Sequence, residues 1–472
     1  MPKTPIKPME KRWKVVYSST DAAIKHAVKI AYEAVSVDTH YIPEIAHDLS
    51  DTDCNLIIIG TKSDSMIAPL LDEVPKKGGY IVKVCDSTLH EGRRMALLVG
   101  DSQYETIYAA AEFADDYKAL ACRTDRVPYF DVFFKETTIK MPDYYVNTAP
   151  TIKRRGIWTW GHCIYDYKKF FENMARLKLN RITIWNDFVP VNMAEIIDYA
   201  HSLGIAVVLG YSWGWRVDID LSEPDKLNEW MASVIENYKI NYAHLNHDGI
   251  YFQTFTETTS DNINGMSIAE NAVLWTNTIS GRLLEEFPDL EIQFGLHATS
   301  VKDHLDVIAN VDPRVSIVWE DCGDFPWHYC GYETDSREYT ENFTKSIVSL
   351  RKDAPFGGVL KGHICLDWTD FEHQTGPFLM GENPLKMRNR RAYAARLLRQ
   401  SQSYWLGKAD RVLEILRIMG ENADISDLIE DGMFEETIWF SVALYAQMLW
   451  ECDKDANYLI SKVSERENIT FA

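Results

Sequence analysis

The chain has 472 residues, with 49 Lys and Arg against 70 Asp and Glu, and a formal net charge of -21. Such a field repels phosphate backbones and anionic lipid surfaces, so nucleic acid and membrane are disfavoured as partners. A small anionic substrate is not excluded, because nearby Arg, Lys or His outweighs distant charge.

Hydrophobic residues make up 46% and charged residues 25%, which suits a globular chain of two or three domains. Met1 to Lys14 lacks an apolar segment, and no later run approaches roughly 18 uninterrupted apolar residues. A cytoplasmic protein is the resulting expectation. The eight cysteines are scattered and read as reduced, mostly buried thiols. His328 near Cys322 and Cys330, and His363 near Cys365, do not match a zinc spacing, and no dinucleotide or Walker A fingerprint occurs. Neither metal nor cofactor is expected.

The first segment alternates strand and helix signals: Trp13 to Ser18, a helix from Asp21 to Val35, the apolar run Leu56 to Gly60, and a short helix near Ser65 to Leu71. Strands at Tyr80 to Cys85 and Met95 to Val99 follow. Asp101-Ser-Gln103 then caps an Ala-rich helix, Tyr104 to Ala121. This order predicts a small α/β domain over residues 1–125, and the proline-punctuated stretch 126–152 reads as a connector.

From Gly156 apolar strands recur, each followed by a helical pattern: Gly156 to Trp160, Arg181 to Trp185, Ala206 to Tyr211, Gly249 to Phe255, Glu291 to Leu296, Ser316 to Trp319 and His363 to Leu366. That series predicts a (β/α)8 TIM barrel over 153–402. Its eighth strand is expected near Gly376 to Met380, before a helix from Pro384 to Gln402. Residues 403–472 read as a short helical C-terminal region, through which a homodimer would form.

Active sites of such barrels lie at the C-terminal ends of the strands. There the sequence places Trp158, Trp160 and His162 after the first strand, Trp185, Asn186 and Asp187 after the second, and Trp213, Trp215 and Arg216 after the third. Glu257 follows the fourth, His297 the fifth, Trp319, Glu320 and Asp321 the sixth, and His363, Asp367, Trp368 and Asp370 belong to the seventh. Indoles stack on the C–H faces of sugars while Asp, Asn, Arg and His bind hydroxyls, so this mixture points to an oligosaccharide substrate. Glycosidic cleavage needs an acid and a second carboxylate. Glu257 is the expected acid, while Glu320, Asp321 and Asp367 compete for the second role. Asp248 precedes the fourth strand and belongs to the opposite, structural face.

Gly79-Tyr-Ile-Val, Met95-Ala-Leu-Leu-Val-Gly-Asp101 and Tyr104-Glu-Thr-Ile-Tyr-Ala-Ala-Ala-Glu-Phe113, then Lys153-Arg-Arg-Gly-Ile-Trp158 and Phe171-Glu-Asn-Met-Ala-Arg-Leu-Lys-Leu-Asn180, carry a family resemblance. They resemble the N-terminal domain and first barrel unit of β-hexosaminidases and of the α-glucuronidases of glycoside hydrolase families 67 and 115. Ala200 to Leu209 and the strand ending at Glu257 look closest to family 67. The resemblance implies Glu257 as general acid, water activation by Glu320 or Asp321 and by Asp367, and inversion at the anomeric carbon. The loop after Glu257 and the short C-terminal region depart from that family's pattern. The expected function is a glycoside hydrolase that removes a terminal sugar, with a uronic acid as the leading case. The alternatives are a β-N-acetylhexosaminidase-like or endo-N-acetylglucosaminidase-like enzyme, or an inactive sugar-binding barrel.

Overall fold

The computed structural model describes residues 12–36, 42–50, 54–120, 141–160, 164–186, 188–211, 213, 223–253, 256, 261–263, 265–322, 337–363, 379–380, 385–421, 423, 425–430 and 433–469. The N-terminal domain contains β1 (Trp13–Val16), α1 (Ala22–Ser36), β2 (Glu44–Ala46), β3 (Asn55–Thr61), β4 (Tyr80–Asp86), β5 (Arg94–Gly100), α2 (Gln103–Leu120) and β6 (Tyr144–Thr148). They form one sheet in the order β2-β1-β3-β5-β4-β6. Neighbours are parallel as far as β5, and β4 runs antiparallel to both β5 and β6. β3 and β5 are continuous apolar runs because both sheet faces are covered. Ile57, Ile59 and Leu98 face α1 and α2, while Leu56, Ile58, Leu97 and Val99 pack with Ile67 on the other side. The sequence reading did not separate β2 or β6; β6 lies within the stretch expected to be a connector and completes the sheet.

The barrel follows: β7 (Arg154–Trp160), α3 (Tyr167–Arg176), β8 (Arg181–Trp185), α4 (Met193–Ser202), β9 (Ala206–Gly210), α5 (Pro224–Asn241) and β10 (Gly249–Gln253). A small antiparallel pair, β11 (Asn262–Ile263) and β12 (Met266–Ser267), leads into α6 (Ile268–Glu286). Then come β13 (Ile292–Leu296), α7 (Leu305–Ile308), β14 (Val315–Cys322), α8 (Arg337–Val348), β15 (Phe356–His363), α9 (Leu385–Gly420), β16 (Ile425–Glu430), α10 (Phe440–Trp450) and α11 (Ala456–Glu467). β7, β8, β9, β10, β13, β14, β15 and β16 close into an eight-stranded parallel barrel.

Two strand assignments are corrected. The seventh strand ends at His363 instead of beginning there, and the eighth is β16, beyond the 36-residue helix α9 that runs across the expected boundary at residue 402. Both strands read poorly for physical reasons. β15 carries Gly357 because a Cβ there would come 2.6 Å from Ile425 Cβ, and glycine weakens a strand signal. β16 mixes polar and apolar residues because Asp427 enters the lumen while Ser426 meets the Tyr445 hydroxyl of α10 at 3.0 Å. α10 is buried along its whole length as the helix that follows the eighth strand, so it presents no face to a second copy.

A buried cluster of charges joins the two domains. Glu112 of α2, 4% exposed, accepts from Lys178 Nζ at 2.6 Å, from the Tyr80 hydroxyl at 2.8 Å, and from the Arg466 guanidinium of α11. Lys178 sits at φ 63°, a left-handed position that costs a side-chain-bearing residue energy, in the turn between α3 and β8. Its ammonium lies 5.3 Å from the Trp450 ring centroid. Arg176 extends the cluster to Asp115 at 3.1 Å and to Glu467 at 2.9 Å. Burial alone would raise the Glu112 carboxyl, but Arg466 and Lys178 outweigh it and hold the group well below the usual carboxylate range.

Glu112→Ala leaves Lys178 without its carboxylate and Arg466 with only the Asp116 carboxylate at 3.9 Å, so a loss of about 3–5 kcal/mol is expected in denaturant unfolding at neutral pH. Because the folded-state pKa is lowered, the wild-type advantage is present above the unfolded carboxyl range and lost as pH falls through the folded value. An equal loss at pH 7 and in strong acid would remove the ion cluster as its cause.

Candidate functional site

Side chains alternate along each barrel strand, so residues two apart share the lumen. Trp158, Trp185, Val208, Tyr251, Val318 and Val359 form the apolar lumen cluster, while Ile157, Ile182, Phe252, Phe294 and Trp319 belong to the layer beneath the helices. Below the cluster, Arg181 Nε faces Asp427 Oδ1 at 3.2 Å and the Arg181 guanidinium donates to Gln293 at 3.1 Å. Burial pushes the Asp427 carboxyl up to about 6, with Arg181 opposing.

At the C-terminal end three rings pack together, and one of them reaches a polar group. Trp158 and Trp185 lie with centroids 5.9 Å apart at 77°, and Tyr251 lies 5.8 and 5.5 Å from them. Glu320, 1% exposed, accepts on Oε1 from the Tyr251 hydroxyl and on Oε2 from Gln253 Nε2. His297 Nε2 approaches Oε2 at 2.6 Å. Burial, followed by the adjacent Glu320 charge, keeps the Tyr251 phenol well above its ordinary pKa and therefore neutral. The His297 backbone N–H donates to Thr256 Oγ1 at 3.1 Å, tying the end of the fifth barrel strand to the residue that precedes Glu257 in the chain. Asn186, 4% exposed after β8, has a side-chain oxygen with no partner among the described residues.

The structure therefore brings Trp158, Trp185, His297 and Glu320 together. Trp213 and Trp319 are corrected as sugar-binding candidates. Trp213 stacks on Phe252 at 3.7 Å and 4°, and Trp319 meets Phe343 of α8 edge-on at 5.7 Å, so both fill the strand–helix layer. Glu257, Asp187, Trp215, Arg216, Asp367, Trp368 and Asp370 lie outside the described residues, as do the side chains of Trp160, Asp321 and His363. Tyr251, Gln253 and Thr256 were missed as site residues, although the two-residue alternation within Gly249 to Gln253 carries the signal for the first two. Asp248 lies at the other end of the barrel, 2.8 Å from His201 Nε2.

Among the described residues no group of His, Cys, Asp and Glu is arranged to hold a metal, and no helix is long and apolar enough to cross a membrane. A 540 Å³ cleft between α1, α2 and α3 is lined by lysines and arginines that are already paired with carboxylates.

No known family model matches the chain, and no curated protein matches it in sequence. Among solved structures, that of CpGH84D is similar with a TM-score of 0.46 at 10% identity, over 77% of this chain and 61% of that one. The chain thus spans less than two thirds of that structure's length, and the roles of its residues rest on its own geometry.

A Cβ at Gly295 would lie 2.2 Å from Glu320 Oε1 and 2.3 Å from the Tyr251 hydroxyl, so this glycine clears the space that the pair occupies. Gly295→Ala is expected to destabilise the barrel by about 1–3 kcal/mol through overpacking. Unchanged thermal unfolding would mean that the lumen relaxes freely around the added methyl.

Proposed function

We propose that the chain is a glycoside hydrolase whose substrate enters at the C-terminal end of the barrel. The observation that carries this reading is that Tyr251, packed against Trp158 and Trp185, donates to Glu320, which also meets Gln253 and His297, while the sequence offers Glu257, Asp321 and Asp367 as further carboxylates. Aromatic faces beside polar groups suit a sugar, and the Thr256–His297 tie supports Glu257 as a rim residue.

In the proposed reaction Glu257 gives its proton to the departing glycosidic oxygen. A carboxylate from β14 or the segment after β15 takes a proton from water as that water bonds to the anomeric carbon, which gives inversion when the two carboxyls stand about 6.5–9.5 Å apart. A terminal uronic acid is the leading substrate, with Arg216 as the cation for its carboxylate. The extensive hydrogen bonding of Glu320 also favours a second reading, a sugar-binding barrel without turnover.

A panel of aryl glycosides that includes uronides separates the two. Turnover is expected for at least one member. Glu257→Gln, which keeps volume but removes the proton, should slow substrates with poor leaving groups about 10²- to 10⁴-fold. Sugar binding by calorimetry with no turnover of any member would replace the hydrolase with the binding protein, and a fully active Glu257→Gln would remove Glu257 as the acid.

A further inference from the structure

The structure assigns Glu320 a different task from chemistry on the sugar: we propose that it is a positioning residue, which fixes the His297 ring with Nε2 as the proton-bearing nitrogen and locks Tyr251 and Gln253 around it. The proposal deepens the hydrolase reading and rests on that reading for its kinetic arm. A carboxylate that activates water, or attacks carbon, must turn an oxygen toward the substrate. Glu320 is 1% exposed and both of its oxygens are engaged: Oε1 by the Tyr251 hydroxyl, and Oε2 by Gln253 Nε2 and His297 Nε2. Two of these partners donate to the carboxylate, and His297 Nε2, 2.6 Å from Oε2 and 3.5 Å from Gln253 Nε2, adds a third donor when that nitrogen carries the proton.

The packing on its underside is equally closed, since the virtual Cβ of Gly295 falls 2.2 Å from Oε1. On that side the carboxylate lies directly against the Gly295 backbone. Its negative charge acts on the imidazole instead. A carboxylate at 2.6 Å from Nε2 favours the tautomer with hydrogen on that atom and stabilises the ring when it takes up a second proton. The ring is further set by its own backbone, because the His297 N–H is committed to Thr256 Oγ1. Glu320 thereby controls the orientation and protonation of a histidine one hydrogen bond away from the residue before Glu257. Water activation then falls to Asp321 or Asp367.

The test joins histidine ring NMR with kinetics. On full-length protein carrying ¹⁵N-labelled histidine, with His297→Asn used to assign the signal, the wild-type ring is expected to keep its proton on Nε2 when neutral. In Glu320→Gln its titration midpoint should fall by about one pH unit or more. A wild-type ring with its proton on Nδ1, or a midpoint that Glu320→Gln leaves in place, overturns the proposal. The tautomer measurement does not need Glu320→Gln, so with the signal assigned it decides the matter even if that variant does not fold.

In the kinetic arm, Glu320→Gln should lower kcat/KM about 10²-fold and move the pH profile with the ring, and azide should not restore Glu320→Ala. Recovery of Glu320→Ala by azide with formation of a glycosyl azide would make Glu320 the water-activating carboxylate and sink the proposal. If the wild type cleaves no glycoside, the hydrolase reading fails while the NMR result still decides the role of Glu320.

Discussion

Closing eight parallel strands creates a lumen that side chains must fill, and in this chain glycines make room for several of the large inward groups. Trp185 occupies space that a Cβ at Gly210 would enter at 2.8 Å. The Glu320 and Tyr251 pair takes that of Gly295 at 2.2 Å, the Arg181 and Asp427 pair that of Gly156 at 2.1 Å, and Ile425 that of Gly357 at 2.6 Å. These large–small pairings let polar and aromatic side chains sit inside a parallel barrel at native packing density. They also make the upper lumen a fixed floor. The candidate site is built on strands, and strands hold geometry better than loops.

The same constraint explains which parts of the fold were legible in the sequence. β8, β9, β10, β13 and β14 are dominated by apolar outward residues, so their positions could be read directly. β15 gave up β-formers for glycine, and β16 carries Asp427 and Ser426, so the pattern broke where the lumen and α10 made their own demands. At the rim, two of the tryptophans near strand ends are placed on the helix side, because a single step along a strand reverses the face. Trp158 and Trp185 share the lumen parity of Tyr251, while Trp319 is one residue from Val318 and one from Glu320 and so belongs to the helix side. Parity would have removed Trp319 from the candidates and added Tyr251 and Gln253. No such rule was available for Trp213, which follows β9 in a loop and is placed by its stacking on Phe252.

The N-terminal domain is held to the barrel by a means that composition conceals. A chain with 21 more acids than bases suggests repulsion, yet at the domain junction the charges are matched and buried: Glu112 with Lys178 and Arg466, and Asp115 and Glu467 with Arg176. Buried pairs are geometrically demanding, because each ion loses its water and must recover the loss from a few well-aimed partners. The Glu112 cluster draws those partners from α2, from the turn before β8, and from α11. The junction is thereby specified to a single docking, and α11, although last in the chain, is part of it.

The excess negative charge is therefore a property of the surface, and it does not decide what the lumen binds. The lower lumen pairs Arg181 with Asp427, and in the upper lumen the Glu320 carboxylate meets Tyr251, Gln253 and His297, so both carboxylates are already engaged. A neutral sugar would meet a balanced wall of hydrogen-bonding groups and aromatic faces. A uronate would bring a charge that this balance does not match, because His297 already faces a carboxylate, and it would need a further cation above the floor. On the proposed reading, recognition of an acidic sugar would then fall to the segments beyond the strand ends, where Arg216 stands in the sequence. If the chain is the proposed hydrolase, changes in those segments would alter the response to substrate charge without rebuilding the lumen.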